Sequence, residues 1–287
     1  MYLQDDKIVI TLNSDVVLRS YNTGSGRQFL LDETALTGWS DGVDVKRSAS
    51  VRQTSAGDFM EVGYNSSRHI TAQGYAIAKD ATELRAMRDD LIGAFPPEIY
   101  QTLKIQDSTG TRTIVASSGG KPSWIQLTDN YATFNISFYA PDPYIYNYTT
   151  TTMTLEGVNT KGGLNFPLDY ELDYASGSGY QDKFVSNKGN APAWPKFKVH
   201  GDFPEGFSIT DNLGNFITYT GGVSFGAPVT IDSRTGTVKQ SNSDRSTYLS
   251  SREWFAIPPQ GSLQASFLPV YSTASGWCDI IYRDTWI

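Results

Sequence analysis

The chain has 287 residues, of which 18% are charged and 13% aromatic, with 26 glycines and 13 prolines. That balance favours sheets and turns over helices, and the length suits two cores of about 140 residues each. A formal net charge of −7 and a single cysteine, Cys278, argue against a cationic groove for phosphate backbones and exclude an internal disulfide and a thiolate zinc cluster.

The first residues run straight into Asp5 and Asp6, without the basic start and apolar core of an export signal. No apolar run approaches the ~20 residues needed to span a bilayer, so neither export by signal peptide nor a membrane partner is expected. The stretch Ile8 to Leu12, a turn at Asn13, Ser14 and Asp15, and Val16 to Leu18 then read as a pair of strands. Gly24, Ser25 and Gly26 loosen the chain. Val43 and Val45, followed by Met60, Val62 and Tyr64, alternate with polar neighbours, so strands are expected to continue to about Ala78.

The period then changes. Leu84, Met87 and Leu91 stand at i, i+3 and i+7 within residues 80–92, one face of a helix. Asp80 and Glu83 form a capping box at its start, and Gly93 with Pro96 and Pro97 supplies the stop. Arg85, Arg88 and Asp89 form the polar stripe opposite; the plain expectation is solvent, the sharper one contact between subunits. Short strands follow around Leu103–Ile105, Thr113–Val115 and Trp124–Leu127.

From Tyr131 to Tyr139 the alternation is strict: Phe134, Ile136 and Phe138 share one face, Thr133, Asn135 and Ser137 the other. Pro141, Asp142 and Pro143 end this strand, because a proline cannot donate to the ladder and forces its predecessor toward extended geometry. This places a stiff domain hinge there, dividing the chain into 1–143 and 144–287. Beyond it no helical period remains, and turns at Ser176–Gly179, Asp211–Gly214, Gly221–Gly222 and Asp232–Gly236 separate short strands. The second half therefore reads as an antiparallel sandwich, closing with Cys278, Ile280 and Tyr282 on one face.

The strand ending in Phe138, Ala140, Pro141, Asp142 and Pro143, followed by a β-rich half, resembles the distal tail proteins of long-tailed, siphovirus-type bacteriophages. Three further motifs extend the resemblance over most of the chain: Gly189 to Pro195 before a strand, the tight hairpin Ile231 to Val238, and Trp254 with Ile257, Pro258, Pro259, Gly261 and Ser262 before another strand. The fold implied is mainly β: a sheet-rich N-terminal ring-forming domain with one α-helix, and a C-terminal galectin-like β-sandwich. The resemblance implies a homohexameric ring at the virion tail tip, assembled in the bacterial host cytoplasm. Its implied partners are the tail tube protein, the tail-tip hub protein and a receptor-binding protein. It implies no enzyme, no cofactor and no sequence-specific nucleic acid.

Catalytic alternatives find little support in the residues. Gly222, Ser224 and Gly226 match a nucleophile elbow, but Ala227 and Pro228 lead into a strand where that motif needs a helix. His69 and His200, the two histidines, lack a helical partner for a zinc site. Pro122 after Gly119, Gly120 and Lys121 spoils a phosphate loop. Asp211 to Asn215 could offer oxygens to calcium but reads more simply as a hairpin turn. One binding alternative stays open, a carbohydrate-binding module for host adsorption using Trp194, Trp254, Trp277 or Trp286. The expectation for each is core or edge packing. Another tail tube or hub component is the rival within the structural class.

Overall fold

The computed structural model describes residues 7–12, 16–48, 50–59, 62–157, 182–270 and 275–287, with the backbone alone at 33–35. The expected turns at Asn13–Asp15 and Ser176–Gly179, the N-terminal stretch with Asp5 and Asp6, and Met60 lie outside the described residues. The chain divides into two compact units, Met1–Tyr148 with Ile287, and Thr149–Trp286.

In the first unit the hydrogen-bonded strands run in the order Ile145–Asn147, Gly110–Ser118, Gln101–Asp107, Val9–Thr11, Val17–Arg19, Gln28–Thr37, Arg68–Ile77, Tyr131–Ala140 and Ser123–Gln126. Two extra pairs, Phe138 with Ser118 and Tyr139 with Ser117, join the Tyr131–Ala140 strand back to Gly110–Ser118 and close the sheet into a barrel. All pairings are antiparallel except Val17–Arg19 with Gln28–Thr37. Closure removes most exposed strand edges. The barrel is filled by the inward set of each strand, including Ile10, Leu18, Ile70, Ile105, Phe134 and Phe138, all buried.

The helix spans Ala81–Gly93 and buries Leu84, Met87 and Leu91, the stripe expected from their spacing. Asp80 caps it, its side chain accepting from the amides of Thr82 and Glu83 at 3.0 and 2.9 Å. Glu83 reaches back to the Lys79 amide at 2.7 Å, one residue earlier than the capping-box partner. Gly93 belongs to the last turn, and the C-cap is Ala94. Next to it, Phe95 packs edge-on against Phe138, with ring centroids 4.8 Å apart.

The strand Gln28–Thr37 has no counterpart in the sequence reading. Its register against Arg68–Ile77 shifts between Leu31 and Leu36, and such an irregularity breaks the period-two pattern by which a strand is recognised.

The second unit is a sandwich of two antiparallel sheets. One runs Thr151–Glu156, Ser275–Tyr282, Lys196–Asp202, Val229–Asp232, Thr237–Gln240 and Ser243–Asp244; the other runs Lys183–Asn187, Gly261–Pro269, Phe207–Asp211, Phe216–Tyr219 and Leu249–Arg252. Residues of both sheets share one core, in which Phe197, Val199, Phe203, Phe207, Ile209, Phe267 and Ile280 are buried. Register explains which residues enter it. Leu155, Cys278, Val199 and Val229 are consecutive cross-strand partners and all face inward, so Cys278 is the small apolar strand residue expected. The expected hairpin at Asp232 is present: Asp232 Oδ1 accepts from the amides of Arg234 and Thr235, and Gly236 adopts φ +64°.

Candidate functional surfaces

Between the paired strands Gln28–Thr37 and Arg68–Ile77 the chain makes an excursion. Val45–Lys46 pairs with Tyr64–Asn65, and an isolated bridge joins Val51 to Asp58. Backbone bonds from Ser66 to Asp44, Phe59 to Ser50 and Arg52 to Gly57 complete a ribbon among the described residues between 44 and 66. Its apolar side chains are not half-buried as alternation suggested: Val45, Val51, Phe59, Val62 and Tyr64 are each 55–74% exposed. Among the described residues of the ribbon none is buried.

The ribbon's root is fixed by Arg68. This side chain is 1% exposed, and burial lowers its pKa from the usual arginine range although Asp41 acts in the opposite sense. Nε donates to the Pro143 carbonyl at 2.9 Å, and Nη1 donates to the carbonyls of Gly38 at 2.6 Å, Asp41 at 2.9 Å and Trp39 at 3.3 Å. Among the described residues Nη2 is buried without an acceptor. One guanidinium thus joins the 38–41 loop to the Pro-Asp-Pro corner. Gly38 sits at φ +76°, where a Cβ would meet the His69 carbonyl oxygen at 1.8 Å.

The corner itself is a bonded turn inside the first unit. Asp142 Oδ1 accepts from the Tyr144 amide at 3.2 Å and Oδ2 from the Tyr146 hydroxyl at 2.6 Å, while Pro143 is buried. The division between the two units falls after Tyr148.

Arg85, Arg88 and Asp89 lie on the exposed side of the helix. Arg88 pairs with its neighbour Asp89 at 2.9 Å, and both remain substantially exposed. On the next residue of the helix, Asp90 receives Arg27.

On the second unit, the outward face of the Ser275–Tyr282 sheet carries two cross-strand rows: Glu156, Trp277, His200, and Thr154, Asp279, Lys198. Trp277 stacks on His200 with ring centroids 5.1 Å apart and planes 10° from parallel. Asp279 gathers this group, accepting from the Thr154 hydroxyl at 2.7 Å and the Trp277 indole N–H at 3.3 Å, with His200 Nε2 at 3.6 Å. Trp277 is therefore held on the solvent face of an interior strand, not in the core or at an edge as expected. Trp194, Trp254 and Trp286 are half-buried, and Trp254 packs against the core.

Of the residues weighed for catalysis, His200 belongs to the Trp277 group and the others lie elsewhere. Ser224 is exposed in a tight turn closed by the Ala227 amide on its carbonyl, with a strand following. His69 is exposed and packs against Tyr139. Asp211 Oδ1 accepts from the amides of Leu213 and Asn215, the hairpin turn preferred over a calcium loop. Among the described residues no cluster of three His, Cys, Asp or Glu could hold a metal ion, and no helix is long and apolar enough to cross a membrane.

A closed barrel bearing an apolar ribbon, in a chain whose other unit is a sandwich with an open polar face, defines a bipartite β protein whose distinctive features are surfaces. Residues 188–286 match the family model of the siphovirus-type tail component, C-terminal domain. The fold of the whole chain is similar to that of the phage SPP1 Dit protein, described as a paradigm of the hub adsorption apparatus in phages infecting Gram-positive bacteria. That similarity has a TM-score of 0.63 at 12% identity and covers 98% of this chain and 99% of that one. A baseplate chain of phage P2, in its activated conformation with calcium, aligns at a TM-score of 0.46 and 12% identity over 97% of this chain and 98% of that one. No curated protein sequence matches. The resemblance to distal tail proteins and the mainly β fold class, both read from the sequence, are borne out.

Proposed function

We propose that this chain is a non-enzymatic structural protein of the virion tail tip. It closes as a homohexameric ring between the tail tube protein and the tail-tip hub protein, and docks a receptor-binding protein at its periphery. The family match and the fold shared with a hub protein support the tail location. The observation that carries the ring is the 44–66 ribbon, whose five large apolar side chains stand in solvent. A two-stranded ribbon is marginal by itself, and each such side chain stabilises a contact by up to roughly 1.5–3 kcal/mol when fully covered. A second copy of the chain is the natural cover, because a projecting ribbon seated on a different patch of its neighbour makes a head-to-tail contact that cyclic symmetry closes.

In this reading the first unit, which runs to Tyr148, takes ring closure and tube contact, and the second takes peripheral docking. Pro141, Asp142 and Pro143 stiffen the end of the first unit, ahead of the division. Arg85, Arg88 and Asp89 serve as polar subunit contacts. Assembly takes place in the bacterial host cytoplasm, and the net charge of −7 suits a ring that does not grip nucleic acid.

Electron microscopy and light scattering of the purified chain test the ring. Closed rings are expected from the native sequence, and folded monomers from the Phe59→Asp, Val62→Asp double variant. A native chain that stays monomeric at high concentration, with or without tube protein, would overturn the proposal.

A further inference from the structure

The outward face around Trp277 carries a cavity of about 360 Å³, lined by Thr154, Glu156, Phe225, Ser275, Gly276 and Trp277. From its composition we infer that this cavity is a carbohydrate-binding site, independent of ring formation, that takes a neutral or amino-substituted sugar ring.

The aromatic element is fixed in advance. Trp277 is backed by the parallel His200 ring, and its N–H is held by Asp279, which Thr154 holds in turn. A side chain already ordered in the free protein loses little further freedom on binding. It still leaves 37% of its surface open, and Phe225, 59% exposed, lines the same cavity. These two rings offer apolar faces of the kind that stack on the C–H face of a pyranose.

Behind the indole two glycines let the neighbouring strands approach closely. Gly276 has φ +152°, and a Cβ there would lie 2.2 Å from the His200 carbonyl oxygen; Gly201 faces it at φ +148° with its own Cβ 2.3 Å from the Ser275 carbonyl oxygen. Both missing side chains would also meet the buried Phe203 ring, so these glycines make room on the core side of the strands, while the Gly157 amide at the cavity wall bonds to the Gly276 carbonyl at 2.9 Å. The polar groups suit hydroxyls: the Glu156 carboxylate accepts, while the Ser275 and Thr154 hydroxyls can do either.

Charge selects among sugars. Glu156 lines the cavity and Asp279 lies behind it, so sialic, uronic and phosphorylated sugars meet like charge. Lys198 is the cross-strand partner of Asp279 and His200 stacks on Trp277, and both face the carboxylate and indole from the next strand. The size lies within the range of small-molecule sites, about 300–1,000 Å³.

The full chain on a glycan array, followed by calorimetric titration with the monosaccharides and disaccharides that score, tests the site. Binding is expected for neutral or amino sugars, weakened at least tenfold by Trp277→Ala, partly retained by Trp277→Phe, and weakened severalfold by Phe225→Ala or Glu156→Gln. Phe184→Ala, an exposed aromatic on the opposite sheet, should leave it unchanged, and circular dichroism verifies that each variant is folded. Absence of sugar binding up to millimolar concentrations, binding unaffected by Trp277→Ala and Phe225→Ala, or binding of choline or inorganic phosphate alone would each overturn the inference.

Discussion

Replacing Arg68 with methionine keeps most of the apolar stem and removes every donor. Three carbonyls within 2.9 Å of the guanidinium, those of Pro143, Gly38 and Asp41, lose their partner. At a net ~1 kcal/mol per hydrogen bond the loss is about 3 kcal/mol. Against it stands relief of a buried cation that carbonyl dipoles and the nearby Asp41 only partly compensate, which returns about 1 kcal/mol. The expected destabilisation is therefore about 2 kcal/mol, and Arg68→Ala, which adds a cavity, should exceed it. For a unit of this size 2 kcal/mol lowers the midpoint by roughly 4–8 °C. Scanning calorimetry of the whole chain reads the shift, and hydrogen exchange locates it. The amide of Gly38, bonded to Asp41 Oδ2 at 2.7 Å, and that of Tyr144 should lose protection, while amides in the second unit's core keep theirs. An Arg68→Met midpoint within 1 °C of the native one, with unchanged exchange at residues 38–41, would refute the view that this guanidinium holds the loop to the corner.

Asp80→Ala removes the acceptor for two helix amides and should cost ~1 kcal/mol, measured by denaturant unfolding, with faster exchange confined to the first helical turn. Burial holds the Cys278 thiol well above its usual range, so the folded protein should resist thiol reagents at neutral pH and react only on unfolding; rapid labelling under native conditions would contradict the core placement. Asp244 has its carboxyl below the usual range, first through the Ser246 hydroxyl at 2.6 Å and then through the Ser246 amide. A carboxylate lowered on folding favours the folded state above its unfolded pKa, and that contribution fades as pH falls through the lowered value. Asp244→Asn should therefore lower stability slightly at neutral pH, leave the most acid region little changed and so flatten the slope between them, as followed by circular dichroism between pH 2 and 7.

Much of this was legible because it depends on local period. The helix announced itself through Leu84, Met87 and Leu91, and the sandwich through Asp232 and Asp211, whose side chains close their turns on the spot. Other features depend on pairing at a distance. The strand Gln28–Thr37 was invisible because its register shift hides the alternation, and the ribbon's exposure cannot be read from Val62 and Tyr64 without knowing that no layer lies beneath them. Arg68 lies between these cases. It keeps phase with buried Ile70, Ala72 and Ala76, a parity the sequence carries but does not explain, since only the fold supplies the carbonyls that make burial tolerable.

Trp277 follows the same parity with the opposite result. Cys278, Ile280 and Tyr282 point into the sandwich, so Trp277 and Asp279 must point out, whatever the general preference of tryptophan for interiors. A strand cannot move one residue inward without turning its whole inner set outward, and here that would expose three buried side chains to hide one. Exposure of the indole is thus imposed by the backbone, whereas its fixed orientation is not. His200 stacking and the Asp279 acceptor are separate choices of residue, neither required to fill the core. Their convergence on one half-open ring gives the outer face a reason to be read as a site: truncating Asp279 to alanine should leave the sandwich folded yet loosen the indole, seen as lowered Trp277 side-chain order and reduced sugar affinity together. If order fell without affinity, the cavity would owe its binding to Phe225 and Glu156, and Trp277 would be only a wall.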